Sequence, residues 1–132
     1  MKKFELNLFL NPVTAGFPSP ASDYIDKSID LNEILIKNKP ATFLVRALGD
    51  SMINAGIFPE DILIIDKSIS PSHKNIVIAI LNGEFTVKRL IKEKNKIILR
   101  PENNKYKDFE IKEEDDFKIW GVVTFVIHNP NL

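Results

Sequence analysis

The dipeptide Asn82-Gly83 lies between two apolar runs, Ile76-Val77-Ile78-Ala79-Ile80-Leu81 and Phe85-Thr86-Val87-Lys88-Arg89-Leu90-Ile91. A two-residue loop joining twisted antiparallel strands needs positive φ at its central positions, and Asn-Gly meets that need with the least strain. The flanking runs are rich in β-branched residues and short for helices. Together they read as a β-hairpin, which commits the middle of the chain to antiparallel sheet. Further strands are expected at Thr42 to Ala47, Ile62 to Ile65, Lys96 to Arg100 and Phe117 to Ile127. Gly49-Asp50-Ser51-Met52 reads as a turn after the first of these. One helix stands out. Asp30 can cap it, Glu33 follows three residues later, and Leu31, Ile34 and Leu35 give it an apolar stripe that ends before Pro40. The expectation is a small, mainly β domain with one or two short helices.

The N-terminal segment differs. Pro12, Pro18 and Pro20 fix φ and remove donors, so residues 11–22 read as an extended arm. Phe4, Leu6, Leu8 and Leu10 alternate before it and could lie as a strand on another surface. The expected organisation is an arm over 1–22 and a β-domain over 23–132. Lys2 and Lys3 ahead of a short apolar stretch resemble a leader, but Glu5 and Asn7 interrupt it. The longest aliphatic run, Ile76 to Leu81, is far short of the ~18 residues of a membrane span. A cytoplasmic protein with no membrane association is expected.

The residue inventory narrows the chemistry. The 132 residues contain no cysteine and two histidines, His73 and His128. Disulfides, thiolate metal sites, a Cys nucleophile and a three-His zinc site are therefore excluded, and neither a cofactor nor a metal is expected. Eighteen Lys and Arg balance eighteen Asp and Glu. That balance gives no global attraction for nucleic-acid phosphates, so little direct nucleic-acid binding is expected. With 44% hydrophobic residues the chain can bury the core of a single domain.

A nucleophile must then be Ser, Thr or Lys. Ser51 follows Gly49-Asp50 on a turn after an apolar strand. There a hydroxyl can stand beside main-chain N–H groups, such as that of Met52, able to form an oxyanion hole. Equally, Ser51 can cap a short helix starting at Met52. The surroundings fit neither G-x-S-x-G nor S-x-x-K. His73, in a polar loop, and His128, near the C-terminus, read as surface residues. Lys88 is the candidate base. A strand lysine flanked on its own face by Thr86 and Leu90 can lose charge on burial. It can also be an exposed lysine that guards a sheet edge. The acidic run Glu113-Glu114-Asp115-Asp116 reads as solvated. Asp61 and Asp66 bracket a buried run without evident metal-binding partners. Phe117, Trp120 and Phe125 read as core.

Four segments point further: Ala15-Gly16-Phe17-Pro18-Ser19-Pro20-Ala21, Ile29-Asp30-Leu31-Asn32, Gly49-Asp50-Ser51-Met52 and Gly83-Glu84-Phe85-Thr86-Val87-Lys88. In this order and spacing they resemble the LexA/UmuD family of self-cleaving Ser–Lys peptidases, and more closely its SOS-mutagenesis branch than its repressors. The resemblance runs from Ala15 to about Val126. It implies a LexA-like peptidase β-domain in which Ser51 is the nucleophile and Lys88 the general base. The bond it implies is cut is Ala15-Gly16. It further implies a homodimer whose self-cleavage a RecA–single-stranded-DNA filament stimulates. The trimmed dimer then serves a UmuC-type error-prone translesion polymerase. The competing reading is a non-catalytic β interaction module that regulates a DNA-repair partner by adding a strand to it.

Overall fold

The computed structural model describes residues 3–10, 12–13, 15–17 and 25–132. Pro18, Pro20 and the expected boundary between residues 22 and 23 lie outside the described residues. Two compact units are present, Met1–Lys37 and Asn38–Leu132.

In the first unit, β1 (Glu5–Phe9) pairs antiparallel with β2 (Ile25–Asp30), and α1 (Leu31–Leu35) follows directly. Asp30 is the expected cap, its Oδ1 accepting from the Asn32 N–H at 3.0 Å. That bond satisfies one of the donors a helix start leaves free. Glu33 does not close a capping box but pairs with Lys3 at 3.4 Å. Pro12, Val13 and residues 15–17 are exposed.

The second unit is built on one antiparallel sheet. Its strands are β3 (Thr42–Arg46), β4 (Ile62–Asp66), β5 (Ile76–Leu81), β6 (Glu84–Glu93), β7 (Lys96–Arg100), β8 (Phe109–Glu110) and β9 (Phe117–Ile127). Their spatial order is β3-β4-β9-β5-β6-β7-β8, so the C-terminal strand is inserted between β4 and β5. The mainly β expectation is met, and the β5–β6 turn forms as read. Asn82 and Gly83 have φ of 49° and 84°, the positive values a twisted two-residue loop demands.

Strand β5 shows why an unbroken apolar run suits this sheet. Ile78 joins Ala47, Met52, Ile57, Leu63 and Ile65 in one core. Its neighbours Val77 and Ala79 join Leu90, Leu99 and Val122 in another. Successive side chains point to opposite faces, so a strand covered on both sides must be apolar at every position. Gly121, on β9, is required by close approach. A Cβ there would run into Ile65 Cγ2 and lie 3.3 Å from the Lys67 side chain. Just beyond it, the ladder between β5 and β9 shifts register between Ile78 and Ala79.

Candidate active site

Ser51 sits on the turn between β3 and a short 3-10 helix, Ile53–Ala55. Gly49 opens the turn with φ of 79°, a left-handed conformation that glycine adopts without strain. Met52 anchors the far side: its side chain is fully buried in the core with Leu63 and Ile65. The 3-10 helix has Met52 at its cap position and no side-chain capping bond. The capping role considered for Ser51 is therefore not the one it plays; its hydroxyl turns to Lys88 instead. Among the described residues, no main-chain carbonyl accepts from the Met52 N–H.

Lys88 comes from β6, half-buried rather than exposed at an edge. Its Nζ donates to Thr86 Oγ1 at 2.6 Å, to the Val87 carbonyl at 3.1 Å and to Ser51 Oγ at 3.3 Å. Thr86 and Lys88, two apart on one strand, share a face, which is why the threonine hydroxyl reaches the amine. Burial lowers the Lys88 pKa from its usual 10.5, because removing water penalises the ammonium more than the amine.

The pair opens into a cleft of about 300 Å³ walled by Val45, Ala47, Leu48, Leu63, Ile78, Phe85 and Val87. A second cavity, about 350 Å³, also touches Phe85, Thr86 and Lys88 and is walled by Leu81, Leu99, Pro101, Tyr106 and Phe109. A hydroxyl, a depressed amine and an apolar trough together suit acyl transfer to an extended peptide. Ala15 and Gly16 lie in a bend of the first unit and are exposed.

The other candidates lie elsewhere. His128 Nδ1 is 2.6 Å from the buried Asp61 carboxylate, and its ring stacks on Phe58 with centroids 4.9 Å apart. His73 Nδ1 accepts from the Lys92 N–H at 2.9 Å. Neither histidine lines the Ser51 cleft. Asp66 accepts from the Ser68 N–H and hydroxyl. Among the described residues no group of three or more His, Asp or Glu side chains could hold a metal ion. Among them, too, no helix is long and apolar enough to cross a membrane.

The chain belongs to the Peptidase S24-like family, whose model matches residues 7–124. It is 46% identical to protein SamA of Salmonella typhimurium over 121 residues, 92% of this chain and 84% of SamA. It is 37% identical to protein MucA of Escherichia coli over 117 residues, 88% of this chain and 80% of MucA. The LexA repressor of Clostridium kluyveri is 38% identical over 112 residues, which cover 85% of this chain and 54% of the repressor. The membership read from the four sequence motifs stands on these matches.

Proposed function

We propose that this chain is a self-cleaving serine peptidase of the SOS response, with Ser51 as nucleophile, Lys88 as general base and Ala15-Gly16 as the bond cut. The observation that carries the reading is the 3.3 Å separation of Ser51 Oγ and Lys88 Nζ inside an apolar cleft. As a neutral amine, Lys88 takes the hydroxyl proton while Oγ attacks the Ala15 carbonyl carbon. The Met52 N–H is the candidate donor to the oxyanion that forms. Collapse breaks the C–N bond, and the proton held on Lys88 passes to the Gly16 amine. Water, activated by the same amine, then releases the acyl group from Ser51. Thr86 keeps the Lys88 amine aimed while its proton comes and goes.

Small side chains at 15 and 16 favour this substrate, since neither crowds the attack. A tethered scissile bond also has a high effective concentration, so presentation of the arm sets the rate. In this reading the protein is a cytoplasmic homodimer. A RecA–single-stranded-DNA filament stimulates its cleavage, and the trimmed form is the accessory subunit of a UmuC-type error-prone polymerase. Kinship with the LexA repressor supports the SOS assignment.

The experiment is incubation of the purified protein at alkaline pH, with and without activated RecA filament, followed by mass measurement of the products. A new N-terminus at Gly16, appearing faster with the filament, is expected. An intact chain under both conditions overturns the peptidase reading.

A further inference from the structure

We propose that Asn103 is a positioning residue for Ser51: its buried side chain fixes the 49–52 turn so that the serine hydroxyl stands against Lys88. The proposal rests on the Ser–Lys reading above.

Apart from the buried Met52 side chain, the turn has little to hold it in place by itself. It lies outside the sheet, and its own closing bond, from the Ile53 N–H to the Asp50 carbonyl, is long at 3.4 Å. The segment after β7 supplies what is missing. Asn103 Nδ2 donates to that same Asp50 carbonyl at 2.8 Å. One residue earlier, the Glu102 N–H donates to the Ser51 carbonyl at 2.8 Å, and the Glu102 carbonyl accepts from the Asn54 N–H at 2.9 Å. Residues on both sides of the Ser51 hydroxyl are thus bonded to two consecutive residues.

Asn103 can serve as the anchor because it is itself fixed. It is 8% exposed, and the other buried polar side chains among the described residues are all aspartates. Its Oδ1 accepts from the Lys105 N–H at 3.1 Å, and its carbonyl accepts from the Tyr106 N–H at 3.1 Å. The Tyr106 hydroxyl returns to the Asp50 carboxylate. The same segment reaches the lysine strand: Glu102 Oε1 pairs with Arg89 Nε at 2.5 Å, and Arg89 is the residue after Lys88. One short stretch therefore ties the serine's turn to the lysine's strand. A buried amide whose donor and acceptor are both used specifies one geometry, and a displacement of 1 Å at a reacting centre can cost on the order of 100-fold in rate.

The test compares Asn103→Ala and the isosteric Asn103→Asp, which keeps the acceptor and loses the donor, with the wild-type full chain. Three quantities are read: thermal unfolding, self-cleavage rate against pH, and labelling of Ser51 by a fluorophosphonate. Both variants should unfold cooperatively. Their alkaline plateau rate should fall by about 10- to 100-fold, with labelling falling in parallel. In Asn103→Ala the midpoint of the pH profile should stay in place, because the burial of Lys88 is untouched; in Asn103→Asp the added carboxylate can only move it upward, since a nearby negative charge favours the ammonium. A residue needed only for stability would lower the unfolding temperature and leave the plateau of the folded protein at the wild-type level; that result overturns the proposal. Amide exchange at residues 50–54 reads the anchor without catalysis, and should quicken in both variants while β4 and β5 keep their protection. Unchanged exchange overturns the anchor. A wild-type protein that neither cleaves nor labels overturns the Ser–Lys reading instead, and exchange then decides the anchor alone.

Discussion

Lys88 Nζ stands 3.3 Å from Ser51 Oγ, although 37 positions separate the two residues in the chain. No common strand carries them: one belongs to a turn after β3, the other to the interior of β6. The contact is therefore a product of the fold, and in the proposed reaction each partner depends on the other. Ser51→Ala and Lys88→Ala are each expected to abolish self-cleavage, and the double variant to lose no more than either single one, because the two act as one unit. Product masses after prolonged alkaline incubation check this. Near-wild-type cleavage in Lys88→Ala would remove the lysine from the mechanism.

Gly16 is exposed in the first unit, and among the described residues nothing lies within 4 Å of where its Cβ would stand. A β-branched side chain next to the proposed scissile carbonyl would crowd an attacking hydroxyl. Gly16→Val should slow self-cleavage by at least 10-fold while fluorophosphonate labelling of Ser51 stays at the wild-type rate. If labelling falls as well, the substitution has disturbed the cleft rather than the substrate.

Much of this could be read from the sequence because its signals were local. Asn82-Gly83 sets the hairpin through its own φ values, Asp30 caps through a bond two residues away, and Thr86 reaches Lys88 through the two-residue period of a strand. Non-local relations were not legible. Strand β2 is a weak Ile25-Lys27-Ile29 alternation that is a strand only because β1 pairs with it. The acidic run is exposed as read at Glu113, Glu114 and Asp116, but Asp115 accepts from the nearby Lys112 N–H and also from Asn82, 33 positions away, bonds that hold its carboxyl below the usual range. The bonds from residues 102 and 103 to the serine turn span about fifty positions, and no spacing rule announces them. Ser51 sits where both of its readings could place it, on a turn before a helical element; only the position of Lys88 separates them.

Gly121→Ala tests the close approach of β9 to Ile65. The new methyl would meet Ile65 Cγ2, a branched side chain in a filled core, with the Asp66 carbonyl 3.7 Å away. The strand would have to shift or Ile65 would have to leave its rotamer. Overpacking of this kind costs about 1–3 kcal/mol. Denaturant unfolding should show a lower midpoint with an unchanged slope; a midpoint within error of wild type would mean that β9 has room to move.

Burial lowers the Lys88 pKa below 10.5, so the neutral amine becomes populated at a lower pH than for a free lysine. In the proposed reaction Lys88 works as a base only when neutral. Unassisted cleavage should therefore accelerate as pH rises toward the folded-state pKa of Lys88 and level off above it. Stability should follow the same titration. Below the folded pKa, Lys88 is charged in both the folded and the unfolded chain, and its desolvation burdens the fold in full. Between the lowered pKa and 10.5 the unfolded chain holds the extra proton, so stability rises with pH; above 10.5 the burden is gone. Lys88→Met removes the titrating group while keeping an unbranched apolar stem. The variant should be more stable than wild type near neutral pH, and the difference should shrink as pH passes through that window. Unfolding midpoints of both proteins across the alkaline range decide the matter. A difference that does not change with pH would mean that Lys88 titrates as it would in water.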